Sequence, residues 1–532
     1  MKVRTAALWA IVGMMGSSAA AMNVPALGRS RGSLGATGAT EARSSVPAAA
    51  QPRFHAEKTL AVDARLGHES VGQGATGETF LLASISGADR ADRAVAPMNL
   101  AIVIDRSGSM RGARLSNAIA AATGIVERMR DGDRVTVVSF DDAAQVVVRP
   151  TLASGTTRTG IEAAIRSIRA DGDTCVSCGL ETAMQELDAA RVAADEPGAS
   201  SAAAAEVDRV ILLSDGAANR GVKDVSGLRR IAGRMRERGC AVTTIGLDVD
   251  FDEKVMAAIA TESNGHHYFV ADAGDLARVF DRELDTLLAT VARDAELVIE
   301  PAAGVEIAEV FDRAFRRDGD RVVVPLGTFG AKQEKTALLR LRVPAEKVGV
   351  EPIAAVSLHW HDLVSRVDDG VASDLSLAVM PGNEAVAELD PFVAARLERS
   401  RTARTLTDAN LLFEQGKRDE ARRTLEKTAA EIQANKAKAT AAARHAPPAP
   451  KPFPARSFAD DFEAQLDTIT SARSGFAQQP APASPPVGGV GPGAGGAIAA
   501  SAPNAPAAAP RDVREEKAAV KKNQSNATEL GL

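Results

Sequence analysis

Aromatic residues are scarce in this chain: 15 Phe, two Trp and one Tyr among 532 residues, 3% in all. The scarcity matches long Ala-, Gly- and Pro-rich segments that bury too little surface to fold. A dominant charge is also missing. Sixty-three basic residues against 69 acidic ones leave a net charge of −6, which excludes the basic footprint of a nucleic-acid binder. Beyond the amino-terminal segment no apolar run is long enough to span a bilayer, so no membrane span is expected in the mature chain. The three cysteines are Cys175, Cys178 and Cys240. None lies near the amino terminus, which argues against a lipid-modified end. No Ser/His/Asp set, phosphate loop or paired acid is placed by the sequence, and catalysis finds little support.

What is present divides into regions. Met1-Lys-Val-Arg4, an apolar stretch from Thr5 to Met15 and the small residues up to Ala21 read as a secretory signal peptide, residues 1–21. The chain is therefore expected to be exported, to the periplasm or to the cell surface and beyond. Residues 22–58 read as a disordered linker. Phe80 to Ile85 alternates and is expected to form an edge strand, in a leading β segment over 59–96 that runs into the next strand. Over 97–294 strands alternate with helices: strands at Val135–Phe140, Ala241–Leu247 and His267–Val270, helices at Ile161–Ile168, Gly227–Arg238, Glu253–Ala260 and Asp275–Val291. This order predicts an α/β fold, a doubly wound, mostly parallel, Rossmann-like sheet. The small residues of Arg191–Glu206 interrupt it as a surface loop.

Residues 295–385 change to short alternating runs such as Val322–Leu326 and Ala337–Val343, which predict a β-sandwich. Asp390-Pro391 then reads as a helix N-cap and first position, opening a helical hairpin over 390–445 that breaks at Gly416. Ala421, Leu425, Thr428 and Ile432 recur at helical spacing, and no second copy supports a solenoid. Residues 446–532 read as a low-complexity tail ending in a charged stretch from Arg514, expected to act as a spacer, with an interaction arm as the alternative.

One segment carries more chemistry than any other. The apolar run Ala101–Ile104 predicts a buried parallel strand, and it stops at Asp105, followed by Ser107 and Ser109 in a Gly-containing loop. Ligand sites of open α/β sheets lie at such carboxyl ends. One carboxylate and two neutral oxygens suit a hard cation such as Mg2+. A second apolar strand, Val207–Leu213, ends in Ser214-Asp215-Gly216, and Asp171-Gly-Asp-Thr174 adds a hydroxyl in a turn that opens a helix. At these three places the chain resembles the von Willebrand factor type A domain, whose metal-ion-dependent adhesion site reads DxSxS, then Thr, then Asp: here Asp105, Ser107, Ser109, Thr174 and Asp215.

The resemblance implies that Ser107, Ser109 and Thr174 ligate Mg2+, with Mn2+ or Ca2+ as alternatives, while Asp105 and Asp215 hold its waters. One coordination position would stay free for an acidic residue of a protein partner. It also implies that the helix Asp275–Val291 could shift on ligation and signal to the β-domain. One departure stands out: the family commonly has two glycines before the threonine, and here Asp173 precedes it, an extra carboxylate that could tighten cation binding or weaken the preference for an acidic ligand. The order of type A domain, β-domain and helical segment is similar to that of exported bacterial proteins related to the channel-like type A family.

The function expected from these features is an exported metal-dependent protein-binding module. A metal-assisted hydrolase, with Asp215 or Asp173 as base, and a channel-associated or envelope-assembly factor with a purely structural metal are the alternatives. Cys175 and Cys178 stand next to Thr174, where a disulfide would lock its loop; free thiols and a zinc or redox pair are the other readings. Cys240 would then be left unpaired and buried. His359-Trp-His361 puts two imidazoles on one strand face without a third ligand, and His266-His267 reads as a turn before a strand.

Overall fold

The computed structural model describes residues 50–74, 76–89, 96–194, 206–249, 251–382, 387–444, 457–477 and 511–531. The expected signal peptide, most of the expected linker and surface loop, and residues 446–456 and 478–510 of the expected tail lie outside the described residues. Four strands come first: β1 (Arg53–Glu57), β2 (Leu60–Leu66), β3 (Ser70–Gly72) and β4 (Thr76–Gly87). The alternating region follows as β5 (Met98–Asp105), α1 (Ala113–Arg128), β6 (Arg134–Phe140), β7 (Ala144–Leu152), α2 (Arg158–Arg166), α3 (Val176–Ala194), β8 (Val207–Ser214), α4 (Val225–Glu237), β9 (Ala241–Leu247), α5 (Glu253–Glu262), β10 (His267–Val270) and α6 (Leu276–Leu288). Next come β11 (Thr290–Pro301), β12 (Glu306–Phe311), β13 (Arg316–Asp318), β14 (Arg321–Gly330), β15 (Glu334–Pro344), β16 (Gly349–Asp362) and β17 (Val367–Met380). Helices α7 (Pro391–Glu414), α8 (Arg418–Ala443), α9 (Phe458–Ala477) and α10 (Arg511–Gly531) end it.

The α/β region is a six-stranded sheet in the order β10-β9-β8-β5-β6-β7. Every neighbouring pair is parallel except β6 and β7. The run Leu100–Ile104 of β5 is continuously apolar, as suits a strand covered on both faces. Leu100, Ile102 and Ile104 pack on α1 and α6 through Ile125, Phe280 and Leu284. Ala101 and Val103 face α3 and α4 through Leu180, Leu187 and Leu228. The mixed α/β, doubly wound fold class expected from the sequence is the one observed. The helix expected over Asp275–Val291 ends earlier, since α6 stops at Leu288 and Thr290 already pairs in β11.

Two sheets, β1-β2-β4-β15-β12 and β13-β14-β11-β16-β17-β3, face each other across a shared core that includes Leu81, Ile85, Leu297, Val324 and Trp360. Two expectations are corrected here. β4, expected as an edge strand leading into β5, lies between β2 and β15. Leu81, Ala83 and Ile85 face the opposite sheet, while Leu82 meets Phe311, Leu338, Val393 and Leu397 on the side of α7, so both faces are buried. β1 falls within the expected linker and pairs antiparallel with β2. The type A-like region is thus inserted into the sandwich between β4 and β11.

α7 begins as the sequence predicts: Asp390 Oδ1 accepts from the amides of Phe392 (2.9 Å) and Val393 (3.1 Å), with Pro391 in the first turn. It ends beside Gly416, whose φ of 78° is the left-handed conformation that stops a helix. The expected tail is corrected as well, because α9 and α10 pack on α7 and α8. Phe413 and Phe476 stack at 4.2 Å, and Phe462 and Ile469 join Leu406, Leu425 and Ile432 in the core. α10 lies against β10 and α5, with the Lys521 ammonium 2.5 Å from Phe251 O and 4.4 Å from the Phe251 ring centre. Among the described residues no helix is long and apolar enough to cross a membrane.

Two measurements test this packing. Phe462 is fully buried, so Phe462→Ala should lower the unfolding free energy by about 3–5 kcal/mol, seen as an earlier denaturant midpoint. His267, at the start of β10, is buried with Nδ1 2.9 Å from Thr244 Oγ1, and desolvation, aided by the Lys521 ammonium, pushes its pKa down to about 3. The folded chain keeps this ring neutral while the unfolded chain takes up a proton below about pH 6.5. Stability should therefore fall as pH drops from 6.5 towards 3, and His267→Gln should flatten part of that slope in thermal unfolding.

Candidate metal centre

The chain leaves β5 towards β6 on one side and returns to β8 on the other, which makes a crevice at the carboxyl ends of β5 and β8. Asp105 ends β5 and Asp215 directly follows β8 there, both fully buried. Asp105 Oδ1 accepts the Ser107 amide at 2.8 Å and Oδ2 accepts the Ser214 hydroxyl at 2.5 Å. The Ser107 and Ser109 hydroxyls are 3.0 Å apart, and Ser109 donates to Asp215 Oδ1 at 2.7 Å. The loop before α3 is tied to this turn by two backbone bonds, Gly108 N to Gly172 O (3.0 Å) and Asp171 N to Arg106 O (2.7 Å).

Thr174 completes the group. Its carbonyl accepts the amides of Asn219 and Arg220, and its own amide donates to Asn219 Oδ1 at 2.8 Å. A Cβ placed on Gly216 would stand 3.2 Å from Thr174 Oγ1 and 3.6 Å from Ser109 Oγ, which sets this glycine against both hydroxyls. A disulfide joins Cys175 to Cys178 at the start of α3, and Cys240 is free and buried. Gly221, at φ 63°, packs on that disulfide: a Cβ there would come within 2.6 Å of Cys175 Sγ and 2.4 Å of Ser177 Oγ. The structure thus gathers all five predicted oxygen-bearing side chains at one crevice.

Asp173 does not join them. Its carboxylate accepts from Arg220 at 2.8 Å, outside the cradle, so the extra charge is neutralised at the surface. Burial raises the Asp105 carboxyl to about 6 despite the hydrogen bonds from Ser214 and Ser107, with Asp215 adding to the rise. Burial also raises Asp215, against the hydrogen bond from Ser109 and the charge of Arg114. Three hydroxyls and two costly buried carboxylates form a hard-oxygen donor set, and in chemistry these residues fit a Mg2+-like cation.

Sequence reasoning missed Ser214, Asn219, Arg114 and Asp248. Arg114, in the first turn of α1, donates to Asp215 Oδ2 at 2.7 Å and bonds Asp248 with its other amine. Asp248 follows β9 at φ 63°, a strained backbone for a non-glycine residue, and Arg514 of α10 lies 3.1 Å from its other oxygen. Asp248 had a readable signal, an apolar strand ending at a carboxylate as at Asp105; Arg114 had none. The histidines form no such group. His361 pairs with Asp368 at 2.8 Å, His266 with Glu283 at 3.1 Å, and no cluster of three or more His, Cys, Asp or Glu side chains suited to a metal occurs among the described residues.

A doubly wound sheet with this crevice is the fold of a von Willebrand factor type A domain, and residues 99–282 match the family model of that domain. The chain contains that domain, a class commonly involved in protein–protein interaction. It is 27% identical over 286 residues to the uncharacterized protein YfbK of Escherichia coli K12, a match covering 52% of this chain and 47% of that protein. It therefore spans about half the length of this relative. It is 26% identical over 304 residues to the uncharacterized protein sll0103 of Synechocystis sp., covering 55% of this chain and 68% of that protein. A von Willebrand factor type A structure from Catenulispora acidiphila aligns with a TM-score of 0.60 at 16% identity, over 81% of this chain and 91% of that one. The ArnB paralog VWA2 of Sulfolobus acidocaldarius aligns at 0.51 and 15% identity, over 77% and 98%. At these identities the likeness to the two structures is one of fold, and its extent carries it past the type A domain into the flanking strands and helices.

The disulfide gives a direct test of how the Thr174 loop is held. Cys175→Ser/Cys178→Ser should cost about 2 kcal/mol of stability on the loop-closure estimate for so short a ring, read as a lower melting temperature under non-reducing conditions.

Proposed function

We propose that the protein is an exported protein-binding module that captures an acidic residue of a partner through Mg2+, or Mn2+ or Ca2+, held at Ser107, Ser109 and Thr174 with Asp105 and Asp215 behind them. The convergence of these five side chains from three separated loops on one crevice carries the reading. When bound, the cation supplies an exchangeable coordination position that a carboxylate can take. The protein's residues prepare for it. Ser107 N and Ser214 fix the Asp105 carboxylate, Asn219 fixes the Thr174 loop, and Ser109 orients Asp215. Surface around the crevice has to add affinity, because one exposed ion contact seldom suffices. The Cys175–Cys178 disulfide supports an oxidising compartment and hence export.

Arg114 holds a positive charge against Asp215 and Asp248, so it competes with a cation for the same carboxylate. Arg114→Ala should tighten Mg2+ binding about tenfold in calorimetric titration, ~1.4 kcal/mol. Unchanged or weaker binding would show that Arg114 supports the site instead. The reading as a whole is tested by affinity capture from envelope extract, with Mg2+, with chelator, and with a folded Asp105→Ala variant. A partner retained only by the wild type with metal is the expected result. Capture indifferent to both metal and substitution overturns it.

A further inference from the structure

At the opposite end of the type A sheet from the crevice, a cavity of about 660 Å3 lies between α6, the amino-terminal end of β10, the β14–β15 turn and α7. Five cationic side chains, among them Lys335, Arg313 and Arg399, contribute to its wall, against the carboxylates of Asp285, Glu334 and Glu529. Lys335 is the unusual member. It is buried in β15, its ammonium donates to Leu326 O at 2.8 Å, and the Phe329 ring centre lies 5.1 Å away. Among the described residues no carboxylate comes within the 4.0 Å of an ion pair with it.

An ammonium carries three donors, and burying one whose charge is uncompensated costs several kcal/mol. The neighbours make the position worse. Arg313 and Arg209, both buried, act on Lys335 with the same sign, and together with desolvation they push its pKa well below the usual value. Glu283 is the acid that opposes them, but its carboxylate already accepts from Tyr268 (2.9 Å) and Thr243 (2.5 Å) and pairs with His266 (3.1 Å). Arg313 spends its Nε on Thr336 O at 3.0 Å. On the wall of the cavity cationic side chains outnumber carboxylates five to three, an excess that an anion would relieve.

We propose that this cavity binds a small multivalent oxyanion, a ligand bearing phosphate or carboxylate oxygens, with Lys335 as its charge anchor and Arg313 beside it. The volume lies within the range of small-molecule sites, and the arginine fork with the lysine point charge matches either kind of oxygen cluster. The site is separate from the metal centre and does not depend on that reading.

The test is calorimetric titration and thermal unfolding of the full chain in chelator, with sodium phosphate, with a sugar phosphate and with citrate, each against sodium chloride at equal ionic strength. Saturable binding of at least one anion is expected, with a raised melting temperature, and the three arms separate inorganic phosphate, phosphomonoester and carboxylate ligands. Lys335→Met should weaken binding at least tenfold, while exposed Lys347→Met should leave it unchanged. Without anion, Lys335→Met should melt at or above the wild-type temperature, because it removes a buried charge and keeps the volume. Lys335→Gln, which keeps a donor without the charge, should lose binding in the same way and serves if the Met variant does not fold. No saturable response to any of the three, or full binding retained by a folded Lys335 variant, overturns the proposal.

Discussion

Two carboxylates buried side by side at the ends of parallel strands set the terms for everything around them. Asp105 and Asp215 are cut off from water, and their charge has to be met by the protein or by something it binds. Ser214, Ser107 and Ser109 meet it with hydrogen bonds, and Arg114 meets it with charge. Arg114 in turn draws in Asp248, held in a strained left-handed backbone, and Asp248 draws in Arg514. A line of alternating charge thus runs from the crevice to the last helix of the chain. The disulfide and Gly221 press the Thr174 loop into place beside it.

Much of the α/β region is legible in the sequence, because a strand buried on both faces writes a continuous apolar run. β9 and β10 have the limits that their patterns predict. The five oxygen-bearing residues of the crevice were legible for a related reason: each lies at or just after the end of such a run, or in the turn opening a helix. The charged residues that complete the crevice were not. Arg114 looks like any helix-surface arginine until the fold sets it against Asp215.

The sandwich and the helices mark the other limit. Alternation in β4 announces one apolar face but not which sheet receives it, and its second face is covered by α7, which follows some three hundred residues later in the chain. The tail was misread because its composition outweighed its periodicity. Phe458, Phe462, Leu466, Ile469 and Phe476 stand at helical spacing, and that spacing was readable before any packing was known. α10 has a weaker pattern, and tertiary contacts such as Lys521 on Phe251 and Asn523 on Asn410 place it.

The insertion of the type A domain into the sandwich fixes how the two are joined. The chain enters from β4 and leaves into β11, strands of opposite sheets, and both connections grip the turn between β14 and β15: Gly87 exchanges backbone bonds with Lys332 and Gln333, and Ala289 accepts the Ala331 amide at 2.8 Å. The domain therefore stands on two legs planted in one footing, unlike a bead on a string. Two connections, one into each sheet, restrain rotation of the domain on the sandwich more than a single one would.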